Sequence, residues 1–338
     1  MNIWKYLIKR ILLIALVLFG VACIVFYIAH VIPADPVGAI LGGNAPPEKI
    51  DKLRAQLGYD RPLIEQFFSF LKGAVVGDFG ISIKTNNPVM KDIGLYFPAT
   101  IELALVAIVI SIVLGVLLGI LSAVYRNRLI DNVSRVFSIL GVSMPVFWIG
   151  LILILIFYYK LDWLPGGGRL DFFVDPPRRI TGMYLFDSLF TGNWEAFRDA
   201  LTHILLPAFV LGYNSTASIA RITRSSMLEV LGQEYIRTAK AKGLKKRLVI
   251  YRHALRNALI PVVTYLGPLA AAVLTGSLVV EQIFAIPGMG RYFVSSLTSR
   301  DYPMVMAVVV IYAFIIVFVN LIVDVLYVFI DPRIDHAQ

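Results

Sequence analysis

Long apolar runs alternate with polar segments along the chain. Six of them are long enough to cross a bilayer as helices, which takes roughly 20 residues each. The sequence therefore predicts an all-α polytopic membrane protein with six transmembrane helices. The first run is longer than the apolar part of a signal peptide, so a retained helix is expected. The six runs are about Leu7–Ile32, Ile101–Tyr125, Val136–Tyr159, His203–Ile222, Leu259–Ile283 and Pro303–Ile330.

Glycine and proline occur at informative positions in the second, third and fourth spans. Gly115 and Gly119 form a GxxxG pair in the second, which predicts close packing against another helix. Pro145 lies inside the third and predicts a kink, because proline removes a backbone hydrogen bond. The fourth is the least apolar span, with Pro207, Gly212 and several hydroxyl residues. Such a helix is better suited to lining a path or contacting a partner than to facing lipid.

The fifth and sixth spans contain candidate pathway or packing residues. Pro261, Gly267 and Pro268 either mark a broken helix at a substrate path or are tolerated because neighbouring groups satisfy the backbone. Asn320 and Asp324 are four residues apart and so share one helix face. They either contact a cation or substrate, or form a hydrogen bond between helices, which is the commoner use of such pairs.

The polar segment after the first span predicts two short amphipathic helices. Pro46 and Pro47 begin the first, which runs to Leu57 with Gly58 as its cap. The second covers Leu63–Leu71 and ends at Gly73. Helices of this kind lie at the membrane interface or cap a cavity. Their predicted apolar faces are Ile50, Leu53 and Leu57, then Ile64, Phe67, Phe68 and Leu71. No structure is predicted for 160–202.

Composition and charge support this topology. Hydrophobic residues make up 58% of the 338-residue chain and charged residues 16%, with a net charge of +9. An orientation with both termini cytoplasmic puts the positive excess on the inside, as membrane proteins prefer, and leaves the outside segments balanced. The excess therefore needs no nucleic-acid partner. The inside segments are then 1–10, 126–135, 221–257 and 331–338, and the outside ones 33–98, 160–202 and 284–302.

Motifs for catalysis or cofactor binding are not found. The nearest match to a nucleotide-binding GxxxxGK[ST] loop is GDFGISIKT, Gly77–Thr85, in which no glycine precedes Lys84. The four histidines are scattered, which makes a metal site improbable. No span carries the run of acidic residues that is expected of a proton relay. We therefore expect a chain that is not an enzyme and holds no cofactor.

The stretch Glu234–Asn257 differs from everything around it, because it is basic and helix-forming between two apolar spans. Good helix formers up to Lys242 are interrupted by Gly243, and a second helical segment follows, with Leu248, Tyr251, Leu255 and Leu259 on one stripe. The stretch is either a solvated positive-inside loop or a docking helix that sits in a groove of another protein. Its small residues Ala239 and Ala241, followed by a glycine at the bend, favour docking.

The segment RTAKAKG, Arg237–Gly243, resembles the EAA-type loop in the membrane subunits of ABC importers. Arg237 stands where that motif has an acidic residue and Thr238 replaces its first alanine, while Ala239 and Gly243 are retained. This departure is typical of the peptide-transporter branch, which the chain resembles throughout its length. Further matching segments include VIPADP (Val31–Pro36), LGYDRPLIEQF (Leu57–Phe67), FPATIELAL (Phe97–Leu105), SMPVFWIGL (Ser143–Leu151), RHALRNALIPVVT (Arg252–Thr264) and IFAIPGMGR (Ile283–Arg291).

The resemblance implies the type I permease fold of ABC importers, in the cytoplasmic membrane of a prokaryote. It implies a second homologous permease, two ATPase subunits that bind ATP and magnesium, and an extracytoplasmic substrate-binding protein. The loop near Pro287 and the helices of 46–72 are then candidates for contact with that protein. The expected cargo is a dipeptide or oligopeptide. The positions expected to couple to the ATPases are Glu234, Tyr235, Arg237, Ala239, Ala241, Gly243 and Leu244.

This resemblance also predicts a division of the chain. Residues 1–98 should hold the first span and an extracytoplasmic helical loop, 99–330 a five-helix permease core with the cytoplasmic loop 221–257, and 331–338 a cytoplasmic tail. Nickel chelates, glutathione and oligosaccharides are alternative cargoes within the same class. A secondary transporter and a membrane enzyme are the alternatives from other classes. The first should show intramembrane ionisable residues and internal symmetry, and the second a cluster of catalytic side chains.

Overall fold

The computed structural model describes residues 3–31, 46–57 and 60–330. This part is helical and contains no β-strand, only an isolated antiparallel bridge between Ile81 and Pro88. Two π-helical segments, Ile154–Lys160 and Val249–Ala254, join the α-helices. The α-helices are α1 (Ile3–Val31), α2 (Pro47–Leu57), α3 (Leu63–Val76), α4 (Val89–Val124), α5 (Leu129–Ser143), α6 (Val146–Leu153), α7 (Tyr184–Thr191), α8 (Trp194–Leu231), α9 (Glu234–Ala241), α10 (Lys246–Leu248), α11 (Leu255–Ala258), α12 (Ile260–Thr264), α13 (Leu266–Ile283), α14 (Met289–Thr298) and α15 (Tyr302–Ile330).

Four helices of the described part are long and apolar enough to cross a membrane, and they correspond to the first, second, fifth and sixth predicted spans. A fifth candidate is the bent pair of α5 with α6 and its π-helical extension. The predicted fourth span lies inside α8, a continuous helix of 38 residues with polar ends. The helical, multi-span class of the protein is thereby confirmed.

The predicted third span is not one kinked helix. Its two halves meet at an angle of 117°. Met144 and Pro145 both adopt extended backbone conformations, with ψ of 136° and 137°. Proline has no N–H to donate and disfavours helical geometry in the residue before it, so the helix stops instead of bending. The first half also begins at Leu129, before the predicted start at Val136.

The helix that contains the predicted fifth span is broken at the first residue of that span and again inside it. Helices α11, α12 and α13 are separated at Leu259 and Tyr265, whose ψ values are −14° and −9°. Around the second break the backbone stays bonded, because the Tyr265 amide donates to the carbonyls of Pro261 and Val262 at 3.2 and 3.0 Å. The helix is therefore broken where the prolines lie, and its local hydrogen bonds accommodate the break.

Contacts divide the chain into two compact units, one of residues 1–98 and 287–318 and the other of residues 99–286 and 319–338. These units are defined by contacts within the structure. They do not test the predicted division into 1–98, 99–330 and 331–338, which stays a prediction. In the first unit, α3 differs from its prediction. It continues past Gly73 to Val76 and ends at Gly77, whose φ of 78° is left-handed. Glycine tolerates this conformation without steric cost.

Gly73 is instead required for close packing at the end of α3. A side chain there would place its Cβ 2.3 Å from the carbonyl oxygen of Asp78. The apolar face of α3 also differs from the predicted one. Phe67 packs edge-on against Phe26 of α1 at 5.2 Å between ring centroids, whereas Ile64 and Phe68 are 70% and 63% exposed. Gly58 and the predicted apolar face of α2 lie outside the described side chains.

The core of the first unit explains the glycine-containing segment Gly77–Thr85. Asp301 is fully buried and accepts a hydrogen bond from the Ser82 hydroxyl at 2.5 Å. Asp92, also buried, accepts hydrogen bonds from the Thr85 hydroxyl and, at 2.8 Å, from the Tyr292 hydroxyl. Burial raises the pKa of Tyr292 to about 12. The segment is therefore a turn that two buried carboxylates hold in place.

In the second unit, α4 and α8 pack at very short range. A Cβ on Gly115 would lie 2.7 Å from the Cβ of Ile219, and one on Gly119 would lie 2.4 Å from the Cβ of Thr223. Only glycine permits this approach of the two backbones. The close packing predicted for the GxxxG pair is confirmed, and α8 is its partner.

Candidate functional site

The loop Glu234–Asn257 has the predicted helix–bend–helix form. Helix α9 ends at Ala241, Gly243 turns the chain with a φ of 76°, and α10 begins at Lys246. A Cβ added to Gly243 would meet nothing within 4 Å. The position therefore needs glycine for its left-handed backbone and not for close approach to a neighbour.

One face of α9 is anchored in the protein. Ile236 is fully buried and Ala239 is 7% exposed, and their spacing of three residues puts both on the same side. They pack in a cluster with the last turns of α4, with α8 and with the segment that follows α10. The other members of the cluster are Ile120, Ala123, Met227, Val249, Ile250, Ala254 and Ala258. The loop is thus attached to the ends of two long helices.

The other face of α9 is open. Tyr235, Arg237, Ala241 and Gly243 are exposed, and Leu244 is 36% exposed. Arg237 pairs with Glu234 at 2.7 Å, and both side chains are mostly in solvent. Four of the seven predicted coupling residues, Glu234, Tyr235, Arg237 and Ala241, are therefore exposed on α9, and two more, Gly243 and Leu244, are exposed in the bend that follows it.

Ala239 is the exception among the predicted coupling residues. The interpretation of Ala239 and Ala241 as small residues of one docking surface is wrong for Ala239, because its side chain lies in the buried cluster. Ile236 was missed as an anchor, although its spacing of three residues from Ala239 is visible in the sequence. The predicted stripe at Leu248 and Tyr251 is exposed, while Val249 and Ile250 are buried. The π-helical turn shifts the buried face away from an α-helical register.

A buried charge cluster lies next to this loop, and no sequence motif indicated it. Asp131 of α5 is fully buried, and Arg135 and Arg224 donate to it at 2.5 and 2.7 Å. The Ser122 hydroxyl of α4 and the Asn127 backbone amide donate to the same carboxylate at 2.5 and 2.9 Å. One side chain thereby joins α4, α5 and α8 near the point where α9 is anchored.

The structure brings together only some of the candidate pathway or packing residues. A Cβ on Gly267 would lie 2.8 Å from the Asn320 side-chain oxygen, so α13 and α15 approach closely there. This contact favours a packing role for Gly267 and Asn320. Pro261 and Pro268 have exposed side chains beside the breaks of the fifth span. The side chain of Asp324 lies outside the described part.

Comparison with protein families identifies the chain. Residues 115–336 match the model of the binding-protein-dependent transport system inner membrane component, and residues 3–104 match the N-terminal model of the same transport systems. The chain belongs to this family of transport-system membrane components. The resemblance to ABC importer permeases seen in the sequence is confirmed, and the chain is a permease subunit.

Curated relatives match along nearly the whole chain. The "Probable D,D-dipeptide transport system permease protein" of Escherichia coli K12 is 46% identical over 337 residues, covering 100% of this chain and 99% of the relative. The dipeptide transport system permease protein of the same strain is 40% identical, covering 99% of each. The glutathione transport system permease protein of Escherichia coli O1:K1 is 38% identical, covering 98% of this chain and 99% of the relative.

Proposed function

We propose that this permease carries dipeptides across the cytoplasmic membrane of a prokaryote as part of an ATP-driven importer. The support is the identity of 40–46% to dipeptide-system permeases along the full length. A second candidate cargo is glutathione, because a glutathione-system permease is 38% identical over nearly the same span. Radiolabelled dipeptide uptake by the assembled transporter, competed with unlabelled dipeptide or glutathione, separates the two.

The proposal includes the arrangement of the chain in the membrane. It has six spans, with α8 supplying the fourth and the bent pair of α5 and α6 the third. Both termini face the cytoplasm, which places the basic loop 221–257 on the inside. Residues 1–98 form the N-terminal part, 99–330 the permease core and 331–338 the tail. The two separately matched family segments, 3–104 and 115–336, support a boundary near residue 100.

The proposed partners follow from this arrangement. A second homologous permease completes the pathway, and a substrate-binding protein delivers cargo to the outer side. Two ATPase subunits bind ATP and magnesium, and their motion reaches this chain through α9. The loop near Pro287 and the helices within 46–72 are proposed to contact the binding protein.

One observation carries the coupling proposal: α9 has one open face and one anchored face. The open face can be pushed by a partner, and Ile236 and Ala239 fix the other face to the ends of α4 and α8. Because protein interiors are close-packed, a push on α9 is transmitted to those helices as a shift of the whole cluster. The proposed contact with the ATPase therefore consists of Glu234, Tyr235, Arg237 and Ala241 on the open face of α9 and of Gly243 and Leu244 in the bend that follows.

The test enlarges one exposed residue of α9. Ala241→Trp leaves the buried cluster untouched but puts a large ring on the open face. We expect normal insertion, with loss of substrate-stimulated ATP hydrolysis and of uptake in the reconstituted transporter. Ala241→Ser is the matched control and should keep both activities. Fully coupled uptake by the tryptophan variant would rule out this face as the contact.

A further inference from the structure

A cavity of about 380 Å³ lies between the end of α4, the end of α8 and the loop after α9. Lys240 and Lys246 contribute the charged part of its lining, and no acidic residue is among those that line it. Neither lysine forms an ion pair with a carboxylate in the described part of the chain. The rest of the lining is apolar: Ala123, Val124, Leu231, Leu244, Val249 and Ile250.

The cavity continues an exposed apolar stripe on α4. Val113, Leu117 and Leu121 are 50%, 48% and 41% exposed, at intervals of four residues that place them on one face. Val124, three residues further, lies on the same face and lines the cavity. Helix α4 is a candidate membrane span that ends at Val124. An apolar face therefore runs along the span and reaches two lysines where the span ends.

We propose that this cavity binds an anionic membrane phospholipid. Its phosphate accepts hydrogen bonds from the ammonium groups of Lys240 and Lys246, and one acyl chain lies along the stripe of α4. The end of a membrane span is at the depth of lipid headgroups, where basic side chains attract anionic lipids. Lysine also suits this position because its aliphatic stem packs on apolar surface while its charge reaches the headgroup.

Two features favour a lipid over a protein segment in the cavity. The apolar lining is continuous with a helix face that is exposed along a membrane span, and the charge at the cavity is all positive. Lys240 belongs to α9, so a bound lipid would tie that helix to the membrane. This regulatory consequence, unlike the binding itself, rests on the proposed coupling function of α9.

The test measures lipid binding by the full chain in detergent, without ATPase subunits. Phosphatidylglycerol, and separately phosphatidylcholine, is titrated into the protein, and bound lipid is counted by native mass spectrometry. We expect the wild-type chain to prefer phosphatidylglycerol. The double variant Lys240→Gln with Lys246→Gln should weaken phosphatidylglycerol binding by roughly tenfold to thirtyfold, since each lysine near an anionic headgroup contributes on the order of fivefold.

The matched control is Lys242→Gln with Lys245→Gln, which removes two exposed lysines of the same loop that do not line the cavity. This pair should keep phosphatidylglycerol binding. An equal loss of phosphatidylglycerol binding in both double variants would mean that the basic loop attracts the lipid diffusely, and it would overturn the proposal. Unchanged lipid binding by the Lys240 and Lys246 variant would also overturn the proposal. This holds even if a separate assay shows that the variant binds the ATPase subunits more weakly.

A steric variant tests the apolar part of the site. Val124→Phe adds a ring inside the cavity without changing charge, and it should also reduce phosphatidylglycerol binding. A thermal unfolding midpoint equal to that of the wild type would show that the fold is kept. Full lipid binding by this variant would mean that the lysines hold a phosphate without any need for the cavity, which contradicts the proposal.

Discussion

At the scale of single residues, burial separates two ion pairs that look alike in sequence. Asp131 and Glu234 each pair with an arginine on their own helix, at spacings of four and three residues. The Asp131 side chain is fully buried, whereas the Glu234 side chain is 83% exposed. Exposed pairs contribute little to stability, while removal of one partner from a buried pair leaves a charge without compensation.

Replacement of Asp131 by asparagine should therefore destabilise the protein by about 2–3 kcal/mol. This lies below the usual range for a buried pair because Arg135 is 46% exposed and Arg224 is 23% exposed. Thermal unfolding in detergent, followed by tryptophan fluorescence, gives the shift in midpoint. Glu234→Gln, which breaks the exposed pair, is the control and should leave the midpoint nearly unchanged. Equal midpoints for both variants would contradict the structural role of Asp131.

Asp187 of α7 is expected to make the stability of the loop 160–202 depend on pH. Burial raises the pKa of this carboxyl, but hydrogen bonds from Thr181 and from the amides of Gly182 and Ile180 outweigh burial and bring the pKa below its usual range. A carboxyl with a lower pKa in the folded state stabilises that state above the pKa of the unfolded chain. The contribution is lost as the pH falls through the folded-state pKa.

Acidification from about pH 7 to about pH 3 should thus loosen this loop in the wild-type protein. Limited proteolysis at sites within 160–202, with an acid-tolerant protease, measures the effect. The Asp187→Asn variant should be cleaved faster than the wild type at neutral pH. Its rate of cleavage should also change less between neutral and acidic pH. An asparagine variant with an unchanged pH profile would show that another group is responsible.

At the scale of helices, the features that could be predicted from the sequence are those that depend on a local residue pattern. The spacing of Gly115 and Gly119 indicates close packing whatever the partner helix is, and Gly243 marks a bend because glycine tolerates a left-handed backbone. The apolar runs likewise predicted the long helices α1, α4, α13 and α15. These features need no knowledge of what lies nearby in space.

Features that depend on distant contacts were harder to predict. Gly73 is predicted to end α3, but the structure shows another reason for glycine at this position. The chain turns back after α3, and the carbonyl oxygen of Asp78 then lies too close to Gly73 for a side chain. The interpretation of Ala239 as part of a docking surface fails because a short helix of small and basic residues does not reveal which face is buried. The Asp131 cluster joins residues as far apart as 122 and 224, and no local pattern links them.

The contact between α4 and α8 gives a prediction at this scale. Gly119→Ala should cost about 1–3 kcal/mol, because the new methyl group would overlap the Thr223 side chain and the Ala220 carbonyl. Gly94→Ala in the same helix is the matched control, since a Cβ there meets nothing within 4 Å. It should be neutral or stabilising by up to about 1 kcal/mol. Unfolding midpoints of the two variants in detergent make the comparison.

At the scale of the whole molecule, the buried carboxylates bear on the source of energy for transport. A proton-coupled carrier uses intramembrane acids along a path. Glu102 of α4 is instead held by Arg169 at 2.6 Å and by the Leu185 amide. Glu281 of α13 is fully buried and accepts a hydrogen bond from Thr100 at 2.7 Å. Both carboxylates have structural partners, which favours a permease that depends on external ATPases.

The chain reconstituted alone into liposomes should therefore not accumulate dipeptide, whatever proton or sodium gradient is imposed. Uptake should appear when the second permease and the ATPase subunits are included, with the binding protein outside and ATP inside. A non-hydrolysable ATP analogue in place of ATP is the control and should abolish uptake. Accumulation by the isolated chain under an ion gradient would show a secondary transporter, because the energy could then come only from the gradient. Uptake that requires ATP and all subunits would instead place the energy source in the ATPases.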